Sequence, residues 1–154
     1  MFHLKSQLVG QDDPLYRRAL LRLAADARGA GSLPDPDGVA SRHNPACGDR
    51  VTVELAMSNG RITALAHQTQ ACLLCQGSAA LLAAQAPGLN RAGLAALAEG
   101  VRTMLQGGPP PAPAYAALAG AVGHAGRHVC VLLPLDAAQA ALEQAEEGGM
   151  GSQA

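Results

Sequence analysis

The alternation of apolar and polar positions is sharpest between Val51 and Met57, where Val51, Val53, Leu55 and Met57 share one side of an extended chain and Thr52 and Glu54 the other. Asn59-Gly60 follows, and both residue types tolerate the positive backbone angles of a tight hairpin. Arg61 to His67 supplies a return strand with Ile62 and Leu65 near the sheet surface. The loop before Val51 therefore sits at one end of a small antiparallel sheet.

Helical spacing governs most of the rest. Leu15, Leu20, Leu21, Leu23 and Ala24 give one apolar side to a helix over roughly 14–28, entered at Asp13-Pro14 and closed by Gly29 or Gly31. Leu74, Ala79, Leu81, Leu82 and Ala86 predict a helix within 71–86 that Pro87-Gly88 ends. Leu94, Leu97, Val101, Met104 and Leu105 predict another, with Asn90 as its cap and Met104 in the core. A short helix is expected near Tyr115 to Leu118, and Pro134 is expected to open a final alanine-rich helix to about Glu147. Gly31 to Gly38 reads as a loop, the backbone stays irregular from Asn44 to Asp49, and Gly107 to Pro113 reads as a connector. The organisation that follows is a flexible N-terminus over 1–13, a single domain over 14–147 and a flexible C-terminus over 148–154.

Composition narrows the classes. Hydrophobic residues make up 49% of the 154 and aromatics only 2%, so one modest core must be packed with Ala, Leu and Val. Eleven basic against 12 acidic residues give a net charge of -1, which points to neither a nucleic-acid surface nor an acidic tail. Arg17, Arg18 and Arg22 recur at helical spacing as a solvated face. No stretch is long and apolar enough for a bilayer, and Met1-Phe2-His3-Leu4-Lys5 lacks the hydrophobic region of a secretory signal. A cytoplasmic location without membrane contact is expected, where four cysteines are thiols or metal ligands before they are disulfides.

Those cysteines carry the candidate chemistry. Cys47 and Asp49 lie two apart around Gly48, so a thiolate and a carboxylate can approach one ion from the same side. Cys72 and Cys75 form a CxxC pair, and Cys130 precedes an apolar Val-Leu-Leu run. All four thiolates could make a structural zinc site; exchanging Cys75 for Asp49 gives three sulfurs and one oxygen, suited to zinc or to a labile iron-sulfur cluster. A thiol-disulfide centre at the start of a helix is a third reading, although the preceding strand pair looks antiparallel rather than redox-fold-like. His43, His67, His124 and His128 read as surface or hydrogen-bonding residues before they read as ligands.

Three ordered motifs carry a resemblance: Asn44-Pro45-Ala46-Cys47-Gly48-Asp49, Ala71-Cys72-Leu73-Leu74-Cys75-Gln76-Gly77-Ser78-Ala79 and Arg127-His128-Val129-Cys130. Together, over roughly 14–145, they resemble the U-type iron-sulfur cluster scaffold and sulfur-acceptor family, and the spacing is closer to its SufU-like branch than to its IscU-like branch. The resemblance implies an α+β, SufE/IscU-like fold in which a small antiparallel sheet of about three strands packs against several helices. It implies Cys47, Asp49, Cys72 and Cys130 as ligands of zinc, or of an iron-sulfur cluster in the alternative reading, and leaves Cys75 outside the set. Cys47 is then the favoured persulfide acceptor, Cys130 a second candidate and Arg127 a stabiliser of thiolate. The implied partners are a cysteine desulfurase and iron-sulfur scaffold or acceptor proteins, in a carrier without small-molecule turnover of its own; a structural zinc or interaction module is the remaining reading. Val129 stands where the SufU-like pattern has a lysine, Leu73-Leu74 make the middle motif unusually apolar, and Pro134 replaces a bulky residue.

Overall fold

The computed structural model describes residues 14–153, with side chains from Arg17 to Gly148. The expected flexible segment 1–13 lies outside the described residues. Three strands, β1 (Gly38–Asn44), β2 (Asp49–Ser58) and β3 (Arg61–Gln70), form one antiparallel sheet in the order β1-β2-β3. The β2-β3 turn is the expected one, with Asn59 at φ 54° and Gly60 at φ 77°. Val51, Val53 and Leu55 from β2 and Ile62 from β3 are sealed into the core, as the alternation requires.

β1 is the strand that hydrophobic patterning missed. Its side chains are mostly polar and exposed, so the periodicity signal is weak. Pairing with β2 and cover from a helix hold it instead: Gly38 lets that helix approach so closely that a β-carbon would fall onto the Ala141 carbonyl oxygen. The Val39 amide also donates to Gln144 Oε1 at 2.6 Å. The outer edge of β3 is closed by backbone bonds from Gly29 and Gly31 to His67 and from Gly88 and Leu89 to Ile62, which leaves little free edge for another chain.

Among the described residues the helices are α1 (Pro14–Asp26), α2 (Leu73–Gln85), α3 (Arg91–Leu105), the 3-10 helix Pro113–Ala121 and α4 (Ala125–Gln153). α4 lies across β1 and β2; α2 packs against α4 and β3; α1 covers α2 and the 3-10 helix. Asn90 caps α3 as expected, its side chain accepting from the Gly93 amide at 2.8 Å. Leu81 and Leu82 of α2, Leu94 and Leu105 of α3 and Leu135 and Leu142 of α4 meet in the core.

Pro134 does not open α4; it lies nine residues inside a helix that begins at Ala125, and the helix continues through Gly148-Gly149 to Gln153. A proline inside a helix removes one donor and crowds the carbonyl four residues back, and here the packing of α4 against the sheet outweighs that local cost. Among the described residues no helix is long and apolar enough to cross a membrane.

Candidate metal centre

At the end of the sheet opposite Asn59-Gly60, three elements bring chemistry together. The β1-β2 turn is tightened by Asn44, whose carbonyl accepts from the Gly48 amide at 2.8 Å and the Cys47 amide at 3.3 Å, and whose side-chain oxygen accepts from the Ala46 amide at 3.1 Å. Gly48 takes φ 76°, a left-handed conformation that any other side chain would strain. The turn presents Cys47 at the surface and places Asp49, the first residue of β2, indoors at 3% exposure.

β3 ends at Gln70 opposite Arg50, so Cys72 and the start of α2 arrive at the same end of the sheet. Cys72 is the N-cap residue of α2, and its amide donates to Asp49 Oδ1 at 3.0 Å. A carboxylate there is favoured by the partial positive charge of the helix start. Cys130 comes from the other side, on α4, and is 4% exposed.

The Cys47 and Cys130 sulfurs and a carboxylate oxygen of Asp49 all lie within 4.8 Å of one another. Cys72 stands beside this cluster, joined to Asp49 through its amide. Burial pushes the Asp49 carboxyl up, but the Cys130, Cys47 and Cys72 thiols and the Cys72 amide outweigh it and hold the group below the usual carboxylate range. Its Oδ2 is nonetheless buried without a donor in hydrogen-bond geometry. Burial, then the neighbouring Asp49 and Cys72, push the Cys130 thiol well up, so without a metal it keeps its proton.

That combination fits a soft divalent ion. A buried carboxylate oxygen lacks a partner, and the surrounding sulfurs become good ligands once a cation displaces their protons. Zinc or iron suits such a donor set better than calcium or magnesium, which favour oxygen.

The other singled-out residues are placed as follows. Cys75 is fully buried in the hydrophobic core; burial first, then the negative potential of Asp49, Cys72 and Cys47, push its thiol far up. Arg127 is exposed on the first turn of α4, and the groups acting on the Cys130 thiol are Asp49 and Cys72. His43 is exposed opposite Arg50, and His124 is exposed as well. His128 Nε2 lies 3.3 Å from the Val122 carbonyl. His67 is interior: Nε2 donates to the Arg28 carbonyl at 2.7 Å and Nδ1 pairs with Thr69 Oγ1 at 2.9 Å, which ties the segment after α1 to β3. Met104 is in the core, as its spacing predicts. An apolar rim emerges only in three dimensions: Leu73 and Val129 are large hydrophobic residues left exposed, each next to a cysteine of the centre. The signal was present in the sequence as apolar residues flanking Cys72 and Cys130, but exposure could not be read from it.

The family model for NifU-like N-terminal domains matches residues 15–144. No curated protein matches the chain. Among solved structures, a nitrogen-fixing NifU-like protein (N-terminal) from Brucella abortus superposes with a TM-score of 0.78 at 31% identity, covering 92% of this chain and 98% of that one. A candidate iron-sulfur cluster assembly scaffold protein for the SUF system, from the thermophile Fervidobacterium islandicum, superposes with a TM-score of 0.73 at 19% identity over 80% of this chain and 93% of its own. At that identity the second likeness shows a shared fold.

Proposed function

The chain belongs to the family of NifU-like N-terminal domains, and from that premise we propose that it is a zinc-binding sulfur acceptor of iron-sulfur cluster biogenesis, supplied by a cysteine desulfurase. The observation that carries the reading is the convergence of Cys47, Asp49 and Cys130 within 4.8 Å around a buried carboxylate oxygen that has no other partner. Cys72, bonded through its amide to the same carboxylate, is the fourth residue of the set. A zinc ion held by Cys47, Asp49, Cys72 and Cys130 supplies charge neutralisation to thiolates that would otherwise repel one another.

The residues divide the work by exposure. Cys47, at the tip of the turn, is the thiol a partner can reach, whereas Cys130 is enclosed and serves as ligand and second acceptor. The Cys47 thiolate attacks the terminal sulfur of the desulfurase persulfide. The new bond joins that sulfur to Cys47, the sulfur-sulfur bond of the donor breaks, and the donor cysteine leaves as a thiolate. Asp49, anchored by the Cys72 amide, keeps its place during this exchange. The protein acts as a carrier and turns over no small molecule of its own.

A second reading takes the iron-sulfur cluster itself as cargo, assembled on the same four residues and passed to an acceptor protein. In its favour, the centre is open on the Cys47 side and closed on the Cys130 side, as release of cargo requires.

Desulfurase-dependent persulfide transfer, followed by mass spectrometry with bound metal quantified, tests the first reading. Loss of transfer in Cys47→Ser, with metal lost in Asp49→Ala, Cys72→Ser and Cys130→Ser, is expected; transfer retained in Cys47→Ser would overturn the assignment of the acceptor. Anaerobic reconstitution with iron and sulfide separates the two readings, because a stoichiometric cluster that transfers to an apo-acceptor would favour the second.

A further inference from the structure

Pro134 has no amide hydrogen, so the carbonyl of Cys130, four residues earlier, has no donor within α4. The next carbonyl along, that of Val131, keeps the Leu135 amide as its helical donor and so borders the carbonyl that proline leaves open. In this protein the Val131 carbonyl accepts a 2.6 Å hydrogen bond from Ser78 Oγ. Ser78 is fully buried and lies on α2, the helix capped by Cys72. One short bond thus ties the backbone beside Cys130 to the helix that Cys72 caps, one residue after the carbonyl that proline deprives of its helical donor.

We propose that Ser78 is a positioning residue for the metal centre: with Pro134, it sets where the Cys130 sulfur stands relative to Asp49 and Cys72. The missing donor at the Cys130 carbonyl leaves this turn of α4 less tied to its own helix, and the Ser78 bond to Val131 holds it in one position. This inference rests on Cys130 being a ligand. A purely structural role for Ser78 would lower stability without depending on Pro134 and without changing the ligand set.

The test loads the metal-free full chain with cobalt(II), whose thiolate charge-transfer absorption reports on bound sulfur, and measures zinc affinity by competition. Cys130→Ser comes first: if it leaves the cobalt absorption unchanged, the ligand assignment fails, whatever Ser78 does. Given a loss there, Ser78→Ala is expected to reduce the absorption toward the Cys130→Ser level and to weaken zinc binding on the order of tenfold, as changes behind a ligand do. Ser78→Ala combined with Pro134→Ala is expected to restore both, because the amide regained at 134 bonds the Cys130 carbonyl and fixes that turn without Ser78. Parent-like absorption and affinity in Ser78→Ala, or equal losses with and without Pro134, overturn the proposal. Should Ser78→Ala alone fail to fold, the double variant decides: folding with parent-like cobalt absorption supports the coupling, and failure or weak binding refutes it.

Discussion

Replacing Asp49 by Asn separates what this residue contributes to the fold from its value to the metal, because the two are read with and without zinc. The exchange keeps the size and leaves Oδ1 able to accept from the Cys72 amide, now as a neutral bond at 3.0 Å. A hydrogen bond to a charged acceptor contributes about 1.5–3 kcal/mol and a neutral one about 1, so roughly 1–2 kcal/mol is lost there. The interaction of the negative charge with the start of α2 is worth a further 0.3–1 kcal/mol or so. Little is recovered in return, because the buried position of Oδ2 stays without a hydrogen-bond partner in the amide and the surroundings favour the charged form. The metal-free variant is therefore expected about 1–3 kcal/mol less stable than the parent, at about 2–4 °C in melting temperature per kcal/mol for a chain of this size. With zinc bound the balance changes: an amide oxygen replaces an anionic ligand, and affinity falls by more than the roughly ten- to hundredfold expected for a residue behind the ligands. Urea denaturation with chelator and reductant, repeated with one equivalent of zinc, measures both. A metal-free variant destabilised by more than about 3 kcal/mol, or a zinc-dependent stabilisation equal to that of the parent, would refute the reasoning.

Three further expectations follow from groups around the centre. Burial lowers the His67 pKa below its ordinary 6.5 while its bond to the Arg28 carbonyl opposes the shift. The unfolded chain therefore binds the proton more readily, so the contribution of His67 is present above about pH 6.5 and is lost as pH falls toward the folded pKa; His67→Gln should flatten the decline in stability between neutral and mildly acidic pH, and an unchanged slope would count against it. Cys75→Ser places a hydroxyl where the core offers a thiol only apolar neighbours and should cost about 1–3 kcal/mol in denaturant titration, while zinc stoichiometry stays at the parental value; a lost equivalent of zinc would return Cys75 to the ligand set. Gly38→Ala drives a β-carbon into the Ala141 carbonyl and should separate α4 from β1 at a cost of about 1–3 kcal/mol, read by the urea midpoint.

The parts of the fold legible in the sequence are those whose local pattern and tertiary role agree. β2 and β3 show their inward faces as alternating Val, Leu and Ile, Asn59-Gly60 supplies its own positive angles, and Asn90 caps α3 without help from elsewhere. β1 and the start of α4 were illegible for a common reason: each is stabilised mainly by the other. β1 has few apolar side chains of its own and is held by pairing with β2 and by the close pass of α4 at Gly38. α4 passes through a proline that local rules place at a helix start, and continues because the sheet and α2 support both sides of the break.

The same asymmetry runs through the site. Cys47, Gly48 and Asp49 lie next to one another in sequence, so their shared turn could be read directly, and Cys75 could be set aside only through a resemblance. Its side chain is fully buried in the hydrophobic core. What no pattern could supply is the meeting of Cys130 with Asp49, since 81 positions separate them and only the packing of α4 across β1 and β2 closes the gap. The element whose local sequence most misled the reading of secondary structure is thus the one that completes the centre. The proline four residues after Cys130 costs the helix a hydrogen bond, and Ser78 bonds the backbone at Val131, so the broken rule and the candidate chemistry fall at the same turn.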